Sequence, residues 1–248
     1  MRRAPRVISG ALLLSLAAGC SASVAGQPPP AASGSATSGV ATSESLPSST
    51  ESSTAPSAES SPASRPTGSA TAPLQVVVVG DSVTEGNSTS VAAGMFGPTS
   101  WAYTADRDRV DVVGGWAVKG ATTEAMAGGA GPSSGDTLVV MGGTNDVLQG
   151  IPWERSAAAI TQVVDVVGIS DVVLCTIVPS ALDPVGAQLF NVRLAELAAE
   201  QGWQLVDSAA GVRTTDGQWL AGLSEDGIHP TATAAAVIGT TVHDALVG

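Results

Sequence analysis

Four short polar segments of this 248-residue chain hold residue types from which nucleophilic chemistry can be built. They are Gly80-Asp81-Ser82, Lys119-Gly120-Ala121-Thr122-Thr123, Gly142-Gly143-Thr144-Asn145-Asp146 and Asp226-Gly227-Ile228-His229-Pro230. A serine hydroxyl is a poor nucleophile at its free pKa, so a neutral imidazole must take its proton as it attacks and later return a proton to the leaving alcohol. The chain has two histidines, His229 and His243. His243 stands beside Asp244 near the end of a closing helix, where a solvated residue favoured by the helix dipole is expected, so a Ser/His mechanism would need His229, which taken alone fits a turn or core role equally well. Singly, each segment also fits ordinary structure. A serine after a strand can cap a helix, while Asn-Asp after Gly-Gly and Asp-Gly are common turn pairs.

What places these segments together is a strand pattern. Val76-Val77-Val78-Val79 reads as a short strand buried on both faces, and Gly80 permits a sharp turn at its end. Ser82 then falls at a strand's carboxyl end, the edge where ligands bind in open α/β sheets. Further strands are predicted at Val110–Val113, Thr137–Met141, Val172–Val178 and Gln204–Val206. Helical spacing covers 154–167 and 187–201, the second placing Leu189, Phe190, Val192 and Leu197 near one face, and Thr231–Leu246 closes the chain behind Pro230. Strand–helix alternation predicts a three-layer α/β/α domain with five parallel strands in a flavodoxin-like order.

Taken together and in this order, the four segments resemble the SGNH hydrolase superfamily, the GDSL-type esterases and lipases, over Leu74 to the C-terminus. The resemblance implies that Ser82 is the nucleophile, His229 the general base and Asp226 its orienting carboxylate. It also implies an oxyanion hole made by the backbone N–H groups of Ser82 and Gly120 and the side-chain amide of Asn145. Val83 departs from the usual Leu of the name-giving motif, and Lys119 stands where many relatives carry a small or polar residue. Asp81 and Asp146 are read as structural, hydrogen-bonding to loop backbone, and Lys119 as solvated. The implied activity is hydrolysis of a carboxylic ester, acyl or O-acetyl, with a small ester or an acylated glycan as substrate. Acyl transfer to an envelope glycan, or a non-catalytic envelope-binding role, are the alternatives.

Composition narrows the partners. The net charge is −12, and it grows more negative if the segment carrying Arg2, Arg3 and Arg6 is removed. Such a surface repels nucleic-acid backbones and anionic lipid, so neither is an expected partner. Neither histidine- and cysteine-rich spacing for a metal nor a glycine-rich nucleotide loop is present, so no metal or cofactor is expected. The domain is expected to be monomeric. Three N-terminal arginines and the apolar run Val7–Ala18 read as a signal peptide, and Ala18-Gly19-Cys20 resembles a bacterial lipobox, with Ala17 where Leu or Val is usual. The expected organisation is a lipoprotein-type signal peptide at 1–19, a disordered Ser/Thr/Pro/Ala-rich tether at 20–73 and a hydrolase domain at 74–248. The tether's coil dimension is about 40 Å. Lipidation of Cys20 would hold the exported protein to the outer face of the cell membrane, and ordinary cleavage would release it.

Overall fold

The computed structural model describes residues 72–248. The expected signal peptide, Cys20 and all but the last two residues of the expected tether lie outside the described residues.

A run of four valines has no polar face to offer water, and the strand it forms, β1 (Leu74–Gly80), is central. Val76 to Val79 are each at most 2 % exposed. Alternation along the strand sends Val76 and Val78 into one core with Trp101, Ala234 and Ile238, and Val77 and Val79 into a second with Met126, Ile160 and Leu194. Around it lie β2 (Val110–Ala117), β3 (Thr137–Met141), β4 (Val172–Cys175) and β5 (Gln204–Val206). All pair in parallel, in the order β2-β1-β3-β4-β5, which is the flavodoxin-like order expected. The α-helices are, in chain order, α1 (Ser82–Glu85), α2 (Trp101–Ala105), α3 (Thr123–Gly129), α4 (Thr144–Gln149), α5 (Trp153–Val167), α6 (Pro184–Gln201) and α7 (Ala232–Val247). α2 and α7 fill the first core; α3, α5 and α6 fill the second. Among the described residues no helix is long and apolar enough to cross a membrane.

Three expectations are corrected. β2 continues past Val113 through Gly114 and Gly115, with a register shift against β1 between Val76 and Val77. A Cβ at Gly115 would come within 1.9 Å of the Val78 carbonyl oxygen, so residues that read as a strand break mark instead a close backbone approach. β4 stops at Cys175 rather than Val178, because the backbone of Ile177 pairs with a side chain instead of a strand. Its N–H donates to Asn191 Oδ1 at 2.8 Å, and its carbonyl accepts from Asn191 Nδ2 at 3.1 Å. On α6, Phe190 and Leu197 are buried, but Leu189 and Val192 are 61 % and 56 % exposed. At about 100° per residue, Leu197 returns to within about 20° of Phe190, whereas Leu189 and Val192 sit about 100° and 200° away.

His243 is also not where its sequence neighbours suggested. It is buried on the face of α7 that carries Ile238 and Val242. Nδ1 lies 3.0 Å from Asp244 Oδ1 and 3.4 Å from Arg107 Nη2, and Nε2 is buried without a partner among the described residues. It belongs to the packing of α7 and is far in sequence and bonding from Ser82. Cys175 is likewise buried, and burial pushes its thiol far up, which keeps it protonated and unreactive.

Candidate active site

Three strands end side by side. Gly80 of β1 pairs with Ala117 of β2 on one side and Met141 of β3 on the other, so the loops that follow open on one edge of the sheet. Those loops carry Ser82, Gly120 and Asn145.

Ser82 is the first residue of α1, whose N-cap Asp81 accepts the Val83 N–H through Oδ1 at 2.9 Å. A first-turn N–H has no acceptor within its own helix, which leaves the Ser82 N–H to donate outward. The short helix is held from below. The Trp101 indole donates to Thr84 Oγ1 at 3.0 Å, and Ser100 Oγ donates to the Thr84 carbonyl at 2.5 Å.

The loop before α7 brings His229 to Ser82. His229 Nε2 lies 3.0 Å from Ser82 Oγ, and His229 Nδ1 lies 2.6 Å from Asp226 Oδ2. Asp226 Oδ1 accepts the backbone N–H groups of Ile228 and His229 at 2.9 and 2.7 Å. Partial burial pushes the Asp226 carboxyl upward, but the hydrogen bonds from the His229 ring, the His229 N–H and the Ile228 N–H prevail and hold it well below the usual carboxylate range. It is therefore an anion, and beside a neutral imidazole it favours the tautomer with the proton on Nδ1 and the Nε2 lone pair toward the hydroxyl. The loop itself is pinned at Gly227, whose carbonyl accepts from Ala181 N–H at 2.8 Å and from the Trp219 indole at 3.1 Å.

Asn145, in the first turn of α4, donates from Nδ2 to the Ala121 carbonyl at 2.9 Å. A side-chain amide has two N–H groups, so the bond to Ala121 leaves one without a partner among the described residues. Asp146 is fully buried and does more than bond loop backbone. It accepts from Thr123 N–H at 2.9 Å, Thr123 Oγ1 at 2.5 Å and Ser156 Oγ at 2.6 Å. Consecutive residues of α4 thus clamp 121–123, the segment following Gly120, and tie it to α5. Gly120 is exposed, with φ +79, a conformation that L side chains rarely adopt, and open space where a Cβ would be.

A cavity of about 250 Å³ is lined by Ser82, Gly86, Asn87, Thr99, Lys119, His229 and Pro230. Lys119 is exposed, as expected, but it stands on the wall of this cavity. Asn87 and Thr99 were not legible as site residues, since they come from Ser/Thr-rich loops without pattern. A cavity of about 420 Å³, lined among others by Asn191, Asp207 and Arg213, contains none of these residues. Among the described residues no cluster of three His, Cys, Asp or Glu could hold a metal ion.

Asp81 is an acid in an unusual state. Burial above all, aided by the nearby Asp146 carboxylate and opposed by the Val83 N–H and His229, pushes it from an ordinary 3.8 up to about 6. Its Oδ2 is buried without a partner among the described residues. A carboxyl whose pKa is raised on folding gives stability that is fully present below the unfolded value and lost as the pH rises through about 6. At about 1.4 kcal/mol per unit the loss is about 3 kcal/mol. Asp81→Asn keeps an acceptor for Val83 and stays neutral, so its stability relative to wild type should rise by up to that amount between about pH 4 and pH 8. Urea unfolding of both proteins across this range measures it, and a difference that does not change with pH would contradict the assignment.

Residues 78–237 match the family model described as the GDSL-like lipase/acylhydrolase family. The fold is similar to solved structures at low sequence identity. A member of the lipolytic protein G-D-S-L family from Veillonella parvula aligns with TM-score 0.54 and 18 % identity, covering 70 % of this chain and 98 % of that one. An α/β hydrolase from the metagenome of Lake Arreo gives 0.57 and 18 %, covering 70 % and 95 %. An acetylxylan esterase from Geobacillus stearothermophilus gives 0.53 and 15 %, covering 70 % and 94 %. Comparison with curated proteins by sequence gave no match.

Proposed function

Since this chain belongs to the GDSL-like lipase/acylhydrolase family, we propose that it is an exported serine esterase that works through Ser82, His229 and Asp226. The observation that supports this most is the hydrogen-bonded chain from Ser82 Oγ to His229 Nε2 at 3.0 Å and from His229 Nδ1 to Asp226 Oδ2 at 2.6 Å.

Ser82 Oγ attacks the ester carbonyl carbon while His229 Nε2 takes the hydroxyl proton. The carbonyl π pair moves to oxygen, where the N–H groups of Ser82 and Gly120 and the free amide N–H of Asn145 meet the negative charge. Collapse breaks the bond to the alcohol, which leaves with the proton from Nε2. Water then attacks the acyl-Ser82 ester, gives its proton to His229, and the second collapse returns that proton to Ser82 Oγ and frees the carboxylic acid. Asp226 stays ionised throughout and stabilises the imidazolium. Each step uses groups of this chain and water alone.

The site lies open at a sheet edge, which suits short acyl groups or O-acetyl esters on accessible glycans. The acetylxylan esterase among the structural neighbours is consistent with that choice. A panel of p-nitrophenyl esters from acetate to decanoate tests it: turnover highest for the short esters is expected, and no turnover of any member would overturn the esterase reading. The lipobox-like Ala18-Gly19-Cys20 supports a lipid anchor facing outward. Recovery of the mature chain with membranes, lost in Cys20→Ala, is the expected result, and an unmodified chain beginning beyond Cys20 in the medium would oppose it.

A further inference from the structure

We propose that Lys119 selects esters whose alcohol portion carries a carboxylate, such as acylated acidic sugars. The inference rests on the esterase reading and specifies its substrate. Lys119 is the only lysine in a chain of net charge −12. Every arginine among the described residues is committed elsewhere. Arg155, Arg193 and Arg213 pair with Glu124, Glu196 and Asp207, Arg107 faces Asp108 and Asp244, and Arg109 donates to the Val247 carbonyl. Among the described residues Lys119 alone of the basic side chains has neither an ion pair nor a hydrogen bond, and it stands on the cavity that holds Ser82 and His229. The other lining residues, Gly86, Asn87, Thr99 and Pro230, are uncharged. The cavity wall therefore carries one permanent charge, of the sign opposite to the protein's.

Which part of the substrate meets that charge follows from the proton's path. His229 Nε2 must hand its proton to the departing oxygen, so the alcohol lies on the His229 side of Ser82. The cavity is lined by His229 as well as Ser82, so in this proposal the alcohol enters it. Lys119 also immediately precedes Gly120, so its backbone is fixed relative to the carbonyl oxygen that Gly120 would bind. The net charge of −12 disfavours an anion in general, whereas at this wall an ammonium can hold it.

The test compares 3-acetoxybenzoate with neutral 3-acetoxybenzamide, which have the same acetyl group and leaving groups of nearly the same size. The ratio of their kcat/KM values is measured in wild type, Lys119→Gln, Lys119→Arg and Lys119→Glu, so intrinsic reactivity cancels between proteins. The ratio should fall about tenfold in Lys119→Gln, mostly through KM of the anionic ester, stay near wild type in Lys119→Arg and fall further in Lys119→Glu. In wild type the ratio should also decline as salt rises to about 0.5 M. An unchanged ratio in Lys119→Gln would overturn the proposal. So would a Lys119-dependent preference for phenyl hydrogen adipate over phenyl hexanoate that exceeds the preference on the alcohol side. Wild type hydrolysing none of the esters would instead overturn the esterase reading itself, so the two failures are distinct.

Discussion

Ser82→Ala and His229→Gln should each lower kcat on a p-nitrophenyl ester by about 10⁴- to 10⁶-fold, and the double variant should lose no more than the worse of the two. The size follows from their working as one unit. Without the imidazole, 3.0 Å away, the hydroxyl keeps its proton, and without the hydroxyl the imidazole has nothing to activate. A residual rate above water should survive in all three, because the oxyanion donors remain. Neither side chain is part of the two cores, so melting temperatures should stay close to wild type. Losses that multiply in the double variant would show independent contributions and contradict the shared proton path.

Asn145→Ala should lower kcat by roughly a hundred- to a thousandfold, about 2.7–4 kcal/mol, with little change in KM. The donor serves charge that exists mainly in the transition state, which is why binding is spared. The structure adds a second consequence. The amide also holds the Ala121 carbonyl at 2.9 Å, so the variant loses one hydrogen bond, at a cost of about 0.5–1.5 kcal/mol of stability. Asn145→Asp should be at least as damaging to turnover, since it sets an anion against a developing anion. Measuring melting temperature and kcat on the same preparations separates the two roles. A destabilised Asn145→Ala protein with normal kcat would leave Asn145 as a turn residue only.

Much of the fold follows from local sequence rules, for identifiable reasons. A β-branched valine run with no polar face reads as a doubly buried strand, and a parallel sheet puts every strand's following loop on one edge; those two facts gather Ser82, Gly120 and Asn145. Misreadings occurred where side chains or glycines replaced regular backbone rules. The Gly114-Gly115 pair concealed the rest of β2 because the requirement there is contact with β1, which no local propensity reports. Asn191 ended β4 early by taking over the backbone of Ile177 from an element remote in sequence. His243 was misjudged from its neighbour Asp244, whereas the packing of α7 decides its burial. Asp146 looked like turn chemistry, yet its three hydrogen bonds tie α3, α4 and α5 together, a long-range fact. Lys119 was readable as exposed; that its exposure is into the cavity of Ser82 depends on where β2 ends.

The central claim is that Ser82 Oγ is the atom that becomes acylated, and a fluorophosphonate tests it most directly. The activated oxygen attacks phosphorus, fluoride leaves, and the serine is left as a stable phosphonyl ester. Mass spectrometry of the digested protein should place one adduct on the peptide containing Ser82, formed rapidly in wild type and suppressed in His229→Gln. An adduct on another serine, or none in folded protein that still hydrolyses esters, would contradict it.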